Sequence, residues 1–312
     1  MFIKRILKRA LQKAYHIAVQ NNVPTGVPTL EEMERLGYFH RVDQGTQILL
    51  RLKYQEMLRN NVPLPPFDSV EFRSYSQNGE DGILLFIFAL IGTTNKKAVE
   101  ICVAEGMECN AANLIINHGW QSLLFDGSAE NIAVGTDFYK KHKDTGIKPP
   151  TLVSAWITRD NVNQLISSHG FSGEIDLLSI DVDGNDYWIW KAIECIQPRV
   201  VVVEHNTPWE DGRAVTIPYQ EDFVADLTRP LHYLGASLPA FVKLGYEKGY
   251  RLVGVERLGF NAFFVRTGVG EDTLPEVAVE ECLYAESLNT SPLTEAQHAE
   301  LELLSKREYI EV

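Results

Sequence analysis

The sequence contains little cysteine, and none of it is spaced as a metal or redox motif requires. Its four cysteines form no C-x-x-C pair and no zinc-like cluster with histidine: Cys102, Cys109, Cys195 and Cys282. This usage argues against a disulfide scaffold and fits a reducing compartment. We therefore expect a cytoplasmic protein.

Long apolar runs and clustered basic charge are also scarce. The longest apolar run, at residues 83–91, is far too short to span a bilayer, so no transmembrane helix is predicted. The net charge of −13 disfavours a nucleic-acid partner, because phosphate binding needs clustered lysine and arginine. The 312 residues, 45% of them hydrophobic, suffice for one substantial core.

Positive charge is concentrated in the first twenty residues. They contain no acid and carry Lys4, Arg5, Lys8, Arg9 and Lys13. Apolar residues at helical spacing predict an amphipathic helix over 2–18, with the basic residues largely on its other face. A docked surface helix, a peripheral helix on the membrane surface and a cleaved targeting peptide all fit this pattern.

Four regions are predicted along the chain. Residues 1–20 are the basic amphipathic helix, and residues 21–70 are a helical N-terminal extension that ends in the proline-rich linker VPLPPF. Residues 71–270 form the catalytic domain. Residues 271–312 form an acidic helical tail with one helix over 294–306.

The catalytic domain alternates strand and helix. Apolar runs predict strands at 98–103, 122–125, 151–156, 175–180 and 200–203, and helices at 110–118, 161–168 and 187–196. Such buried strands indicate a parallel sheet covered by helices on both faces. Residues 250–255 and 261–266 predict an antiparallel hairpin at the sheet edge. The predicted fold class is therefore α/β, with five parallel strands plus one hairpin.

Polar residues follow the predicted strands where a ligand crevice is expected. In open α/β sheets, ligands bind outside the carboxyl ends of the strands. The residues at these ends are Glu100, Glu105, Gly106, Asp126, Asp181, Asp183, Glu204, His205 and Asn206. Acids after four of five strands are predicted to line one pocket.

The segment IDLLSIDVDGNDYWIWKAIECIQPRVVVVEHN, at residues 175–206, resembles the FkbM-type methyltransferases. In that family a strand ends in I-D-x-[ED]-G, and a helix then leads to P-R-x-x-x-x-E. KAVEICVAEGMECNAANLI, LLFDGSAEN and YSQNGEDGIL extend the similarity over residues 71–266, although Cys102 and Ala104 replace expected glycines. The resemblance implies a Rossmann-like class I methyltransferase sheet and S-adenosylmethionine as cofactor. It also implies a sugar or secondary-metabolite hydroxyl, on a small-molecule or glycan acceptor, as the target of O-methylation.

Cofactor contacts are predicted from the strand ends and from this resemblance. A carboxylate such as Asp126 is suited to accept hydrogen bonds from both ribose hydroxyls. The loop containing Gly106 would admit the methionine carboxylate. The whole predicted set is Ser76, Gln77, Glu80, Glu100, Gly106, Asp126, Gly127, Ser128, Ala155 and Trp156.

Each of these assignments has a structural alternative. Asp126 would serve equally as a helix N-cap, Gly106 as a plain turn residue and Trp156 as core packing. In the stretch 76–82, Asn78 and Asp81 would form a capping box instead of covering the cofactor.

The predicted catalytic residues are Asp181, Asp183 and His205. An alkyl hydroxyl is a poor nucleophile, so methylation needs a positioned base or a metal that acidifies the hydroxyl. His205 would be that base, because its ordinary pKa suits proton removal near neutrality. Alternatively, Asp181, Glu204 and Asn206 would hold a divalent cation such as Mg²⁺. A pair of structural acids bonding helix amides would also explain Asp181 and Glu204.

Residues 207–249 form a long insertion that is predicted to be a lid or a substrate wall. Before it, Trp188 and Trp190 cannot share one helix face, so one is expected to pack on the sheet and the other to border the pocket. Two further functions remain as alternatives. A nicotinamide oxidoreductase is disfavoured because no G-x-G-x-x-G follows the first strand. A degenerate cofactor-binding module would dock at a membrane or protein partner through residues 1–20.

Overall fold

The computed structural model describes residues 41–206, 212–226, 228, 231–282 and 295–312. They fall into two compact units, the larger of which contains 42–206, 212–224, 234–282 and 308–312. The predicted helix over 2–18 lies outside the described residues. Within the described ranges, no helix has the length and apolar character needed to cross a membrane.

Seven strands of the larger unit form one sheet in the order β3-β2-β1-β4-β5-β8-β7. The first five are parallel: β1 (Lys97–Ile101), β2 (Gln121–Asp126), β3 (Thr151–Ser154), β4 (Gly173–Ile180) and β5 (Ile196–Glu204). The antiparallel hairpin adds β7 (Tyr250–Val255) and β8 (Asn261–Arg266), with β8 beside β5. The predicted Rossmann-like fold class is confirmed, and the hairpin has the predicted bounds.

Helices flank the sheet. The larger unit contains α1 (Gln44–Arg59), α2 (Glu80–Ile91), α3 (Ala112–His118), α4 (Ala129–Lys141), α5 (Val162–Ser168), α6 (Asp186–Ala192) and α7 (Leu238–Glu247). A two-residue strand β6 (Val215–Thr216) pairs antiparallel with β9 (Ile310–Glu311). The smaller unit contains α8 (Glu295–Leu304), where the sequence predicts a helix.

The two faces of the sheet carry separate hydrophobic layers. Successive strand residues point to opposite faces, so that Leu177 and Leu178 belong to different layers. Trp190 from α6 is fully buried and packs on Phe241 and Phe264. Trp188, by contrast, is half-buried and donates from Nε1 to the carbonyl of Ile217 at 2.9 Å. The two tryptophans thus lie in different surroundings, as their spacing predicts.

Two predicted boundaries are wrong: the end of the helix after β4 and the start of β5. The helix after β4 ends at Ala192, and β5 begins at Ile196, four residues earlier than expected. The side chain of Asn163 accepts hydrogen bonds from the amides of Glu194 and Cys195, which ends the helical ladder there. Pro198 lies within β5 and pairs with Ile175 of β4, whereas the predicted strand begins only at residue 200.

The sequence indicates helix α2 only through the proposed cap at Asn78, and the lack of a periodic signal has a physical reason. Its first ten residues, 80–89, are all buried, so they show no amphipathic period from which a helix could be predicted. The helix brings the stretch 74–80 to the carboxyl edge of the sheet, where the candidate site lies.

Candidate active site

The carboxyl ends of four parallel strands place a row of polar residues across one edge of the sheet. Ile101 is in register with Phe125 and Ile180, and Ile180 with Val203. The next residue on each strand therefore belongs to one row, which continues on the hairpin because Glu204 pairs with Asn261. We call this set the rim row: Asp126, Cys102, Asp181, Glu204 and Asn261.

Two carboxylates of the rim row, those of Asp126 and Asp181, affect the same thiol. Crowding by surrounding atoms, followed by the charges of Asp181 and Asp126, raises the pKa of the Cys102 thiol well above its ordinary value, although the residue is exposed to solvent. Cys102 directly follows β1, which lies between β2 and β4. Asp126 and Asp181 thus lie on either side of it at the same edge of the sheet.

Three carboxylates form a tight group at the β4 and β5 ends. Oxygen atoms of Asp181, Asp183 and Glu204 all lie within 4.8 Å of one another. Burial, followed by the charges of Glu204 and Asp183, raises the pKa of Asp181 well above its ordinary value. A hydrogen bond between Asp181 and Glu204 raises the pKa of Asp181 in the same direction. We call these residues the acidic group.

The loop after β4 contains Asp181 and Asp183 of the acidic group, and it is closed by Asp186. Its carboxylate accepts hydrogen bonds from the amides of Val182 at 2.8 Å and Gly184 at 2.9 Å. Burial raises the pKa of Asp186 to about 7. Asp183, inside this loop, has a φ of 55°, in the left-handed region that aspartate tolerates better than most residues with a Cβ.

The loop after β1 has the backbone of a glycine-rich loop without the glycines. Cys102 and Ala104 have φ values of 67° and 50°, in the left-handed region that favours glycine. These are the two positions where the FkbM-type pattern has glycine. Gly106, with φ 67°, donates its amide to Val103 at 2.8 Å and so closes a turn.

This strain predicts an unusual stability effect. Ala104→Gly should stabilise the chain by up to about 1 kcal/mol, since left-handed strain of about 1–2 kcal/mol exceeds the entropy cost of glycine. Ala111→Gly is the matched control, because Ala111 has a φ of −81° and should lose about 0.5–1 kcal/mol. Urea unfolding measures both variants. A loss of stability in both would contradict the strain argument.

Asp126 holds the loops on either side of β2. Its Oδ2 accepts from the amide of Ala104 at 2.8 Å, and its Oδ1 from the amide of Ser128 at 2.8 Å and the side chain of Asn131 at 3.1 Å. Ser128 itself caps α4 by accepting from the amide of Asn131. The carboxylate therefore makes the contacts at the start of α4 that the structural alternative predicts, and one acceptor position on Oδ2 is left for a ribose hydroxyl.

The other predicted cofactor residues near β1 and β3 have separate contacts. Glu100 is buried, and both of its oxygens accept from amides at the start of α3, those of Asn110 and Ala111. Ala155 donates its amide to the carbonyl of Asp126 at 2.9 Å. The Trp156 ring lies against Gly127, where an added Cβ would be 3.0 Å from Cε3.

The tract 76–80 reaches the opposite end of the rim row. Glu80 is buried and accepts from Asn261 at 2.8 Å and from the amide of Asn78 at 2.8 Å. Ser76 is also buried, while Gln77 is half-buried. The predicted capping box is wrong, because Gly79 is the N-cap and Asp81 instead accepts from the amides of residues 74–76.

His205 and Asn206 follow β5 directly. Burial lowers the pKa of His205 to about 4, so that it is neutral near pH 7 and is a weak base. Its amide donates to the carbonyl of Phe260 at 2.9 Å. Asn206 is tied to the segment before α7, since its amide donates to Ala236 and its Nδ2 to Leu234.

Three features of the site were missed by sequence reasoning. Asp183 joins Asp181 and Glu204 in the acidic group, although it was predicted as catalytic and not as a metal ligand. The repeated acid of the D-x-D pattern was the available signal. Asp186 as loop closure and Asn261 as the link to Glu80 depend on strand pairing and loop folding, so no local pattern indicates them.

The buried carboxyls predict that stability falls with rising pH. Burial raises the pKa of Asp186 and Glu256 to about 7, far above their unfolded values, so the folded chain holds more protons. This contribution is fully present below the unfolded pKa and is lost as pH rises through about 7. Between pH 6 and 8 the two groups together cost about 2 kcal/mol.

Thermal unfolding from pH 6 to pH 8 measures this effect. The depressed pKa of His205, about 4, acts in the opposite sense at lower pH, where stability is lost as the solution becomes more acidic. Removing the raised carboxyl with Glu256→Gln should flatten the slope between pH 6 and 8. A melting temperature that rises steadily over this interval would contradict the predicted direction.

Comparison with known proteins gives structural neighbours alone. No protein-family profile matches the chain, and a search of curated proteins gave no match. A solved S-adenosylmethionine-dependent methyltransferase from Clostridium acetobutylicum is 10% identical, covers 70% of this chain and 98% of its own, and has a TM-score of 0.40.

Two further solved structures are similar at the same level. Magnesium protoporphyrin IX methyltransferase from Synechocystis, with bound S-adenosylmethionine, is 10% identical, covers 72% of this chain and 98% of its own, with a TM-score of 0.36. The N-terminal domain of EvdMO1, with S-adenosylhomocysteine bound, is 14% identical, covers 73% and 98%, with a TM-score of 0.42. Likenesses this low carry no argument about activity, which rests on the residues of the chain.

Proposed function

We propose that this chain is an S-adenosylmethionine-dependent methyltransferase that methylates a hydroxyl oxygen on a small-molecule or glycan acceptor. The observation that carries the proposal is the rim row. It brings one carboxylate at the end of β2 and an acidic group at the ends of β4 and β5 to the same edge of a Rossmann-like sheet. The FkbM-type pattern of residues 175–206 supports the same function.

The donor would lie along the β1 and β2 ends. Oδ2 of Asp126 has one acceptor position left, which suits one ribose hydroxyl, and Gly127 and Trp156 beside it offer a surface for adenine. The loop 102–106 would face the methionine end, with Ser76 and Glu80 from the α2 side. When bound, S-adenosylmethionine supplies an electrophilic methyl group. The chain's own part is to align the acceptor with that group and to exclude water.

Acceptor activation is assigned to the acidic group. Because the hydroxyl is a poor nucleophile, its proton must be taken up or its acidity raised. Asp181 has a raised pKa, which suits a carboxylate that accepts a proton near neutral pH. His205, with its pKa lowered to about 4, suits this task less well.

The acidic group also fits a divalent cation. Oxygen ligands lie about 2.1 Å from Mg²⁺ and about 2.4 Å from Ca²⁺, so ligands of one ion are at most about 4–5 Å apart. The 4.8 Å limit on the oxygens of Asp181, Asp183 and Glu204 agrees with this geometry. Asn206 remains the predicted fourth ligand. The cation would lower the pKa of the acceptor hydroxyl and offset the mutual repulsion of the three carboxylates.

Turnover assays with and without chelation test this proposal. The purified full chain is incubated with S-adenosylmethionine and a panel of sugar and secondary-metabolite hydroxyl acceptors, and release of S-adenosylhomocysteine is measured. We expect acceptor-dependent release that EDTA abolishes and Mg²⁺ restores. Release that is insensitive to EDTA would reject the cation and retain Asp181 as the base. Absence of release with every hydroxyl acceptor of the panel would reject the proposed O-methylation.

The alternative of a docking module is not favoured, because it leaves the acidic group without a use. A peripheral membrane contact through residues 1–20, in a cytoplasmic protein, remains compatible with the methyltransferase. Co-sedimentation with anionic vesicles, compared between the full chain and a chain lacking residues 1–20, tests that contact. Equal co-sedimentation would reject it.

A further inference from the structure

The segment 217–223 crosses the carboxyl edge beside the candidate site, and we call it the strap. Three side chains from the β3 and β4 sides donate to its backbone carbonyls. Trp188 Nε1 donates to Ile217 at 2.9 Å, Asn185 Nδ2 to Gln220 at 2.7 Å and Trp156 Nε1 to Glu221 at 2.7 Å. Because the acceptors are main-chain atoms, the path of the strap is fixed by the surrounding loops.

Phe223, at the end of the strap, packs on the loop that contains Asp181 and Asp183. A Cβ added to Gly184 would lie 2.4 Å from Cδ1 and 2.5 Å from Cε1 of this ring, closer than any real Cβ contact. The ring therefore rests directly on the backbone of Gly184. On its other side, the same loop is held by Asp186, which accepts the Gly184 amide.

The loop held between Phe223 and Asp186 determines where Asp183 lies. Asp183 immediately precedes Gly184, has a φ of 55°, and has a carboxylate oxygen within 4.8 Å of those of Asp181 and Glu204. Mutual repulsion of the carboxylates and the left-handed backbone both favour a different loop conformation. An external contact at Gly184 opposes that relaxation.

We infer that Phe223 is a positioning residue: its ring, held on Gly184 by the strap, keeps Asp183 in the acidic group. The inference rests on the proposed function only for the chemical use of that group. The side chain of Phe223 is the effective part, so its size determines the effect. Leucine at this position fills part of the same space, whereas alanine leaves the Gly184 backbone uncovered.

Hydrogen–deuterium exchange of the full chain tests the contact of Phe223 with Gly184 without any cofactor, cation or acceptor. In Phe223→Ala, the amides of residues 182–186 should exchange at least tenfold faster, and Phe223→Leu should restore most of the protection. Val224→Ala is the matched control, because Val224 is the next residue and is 76% exposed. Unchanged exchange in Phe223→Ala would overturn the inference.

A second substitution tests the contact itself. Gly184→Ala places a methyl group where the ring lies, and Gly184 has no left-handed φ that would penalise alanine by itself. Gly184→Ala alone should speed exchange of the loop, and adding Phe223→Ala should make the exchange no faster than in Phe223→Ala alone. Additive effects of the two substitutions would show that ring and glycine do not act through one contact.

Mn²⁺ binding, followed by electron paramagnetic resonance, is a readout that a purely structural role would not change. Phe223→Ala should weaken Mn²⁺ binding at least tenfold, with recovery in Phe223→Leu and no change in Val224→Ala. Equal Mn²⁺ affinity in the wild-type chain and in Phe223→Ala would overturn the inference. If the wild-type chain binds no Mn²⁺, the divalent cation of the proposed function is rejected. Hydrogen–deuterium exchange then still tests whether Phe223 positions the loop.

Discussion

Asp126→Ala is expected to weaken binding of S-adenosylhomocysteine by at least about tenfold. Three of the roughly four acceptor positions of the carboxylate are taken by Ala104, Ser128 and Asn131, so one remains for a ribose hydroxyl. Such a charge-assisted hydrogen bond contributes about 1.5–3 kcal/mol, and about 1.4 kcal/mol corresponds to tenfold in Kd. No other acid of the rim row is adjacent to β3 and the Trp156 ring. Calorimetric titration of the variant measures the change.

The controls for this substitution separate binding from folding. Asp126 also accepts amides of Ala104 and Ser128, so thermal unfolding without ligand must be recorded for the variant. Asp126→Asn keeps the shape and one acceptor oxygen, and its binding loss should be smaller. Asp137→Ala removes an exposed carboxylate of α4, paired with Lys141, and should leave affinity unchanged. Equal affinity in Asp126→Ala and Asp137→Ala would refute the ribose assignment.

Asp181→Asn is expected to abolish turnover while making the unliganded chain more stable. Loss of a proton acceptor or metal ligand in the acidic group should lower kcat by about 10²–10⁴. At the same time an amide no longer has to ionise beside Glu204 and Asp183, whose charges raise the pKa of Asp181. At pH 8 the Tm of the unliganded variant should therefore be higher than that of the wild-type chain.

This opposite movement of activity and stability distinguishes a functional acid from a structural one. If Asp181 mainly stabilised the fold, Asp181→Asn would lower Tm along with kcat. Asp160→Asn serves as the control, because Asp160 is an exposed acid at the start of the α5 region and should change neither quantity. A variant that is both less stable and fully active would contradict the assignment on both counts.

The sheet was predictable because its signals are local. Each parallel strand is a short apolar run, and the hairpin residues 250–255 and 261–266 are separated by a turn containing Gly259. The acids at the strand ends could be assigned to one edge because parallel strands all end on the same side. Even the departures at Cys102 and Ala104 were informative, since both have the left-handed backbone that glycine would adopt.

Other parts depend on tertiary packing and could not be predicted. The length of helix α2 could not be predicted, because the helix is buried on all sides and lacks an amphipathic pattern. The first residues of β5 surround Pro198, a residue that argues against a central strand, and their pairing with β4 depends on the fold. The contact of Phe223 with Gly184 joins residues far apart in the chain, so only the structure indicates it.

Calorimetric titration of S-adenosylhomocysteine into the wild-type chain tests the central claim most directly. We expect saturable binding with one site per chain and no heat with NAD under the same conditions. Saturable heat with NAD and none with S-adenosylhomocysteine would contradict the assignment of this sheet edge to an adenosyl methyl donor.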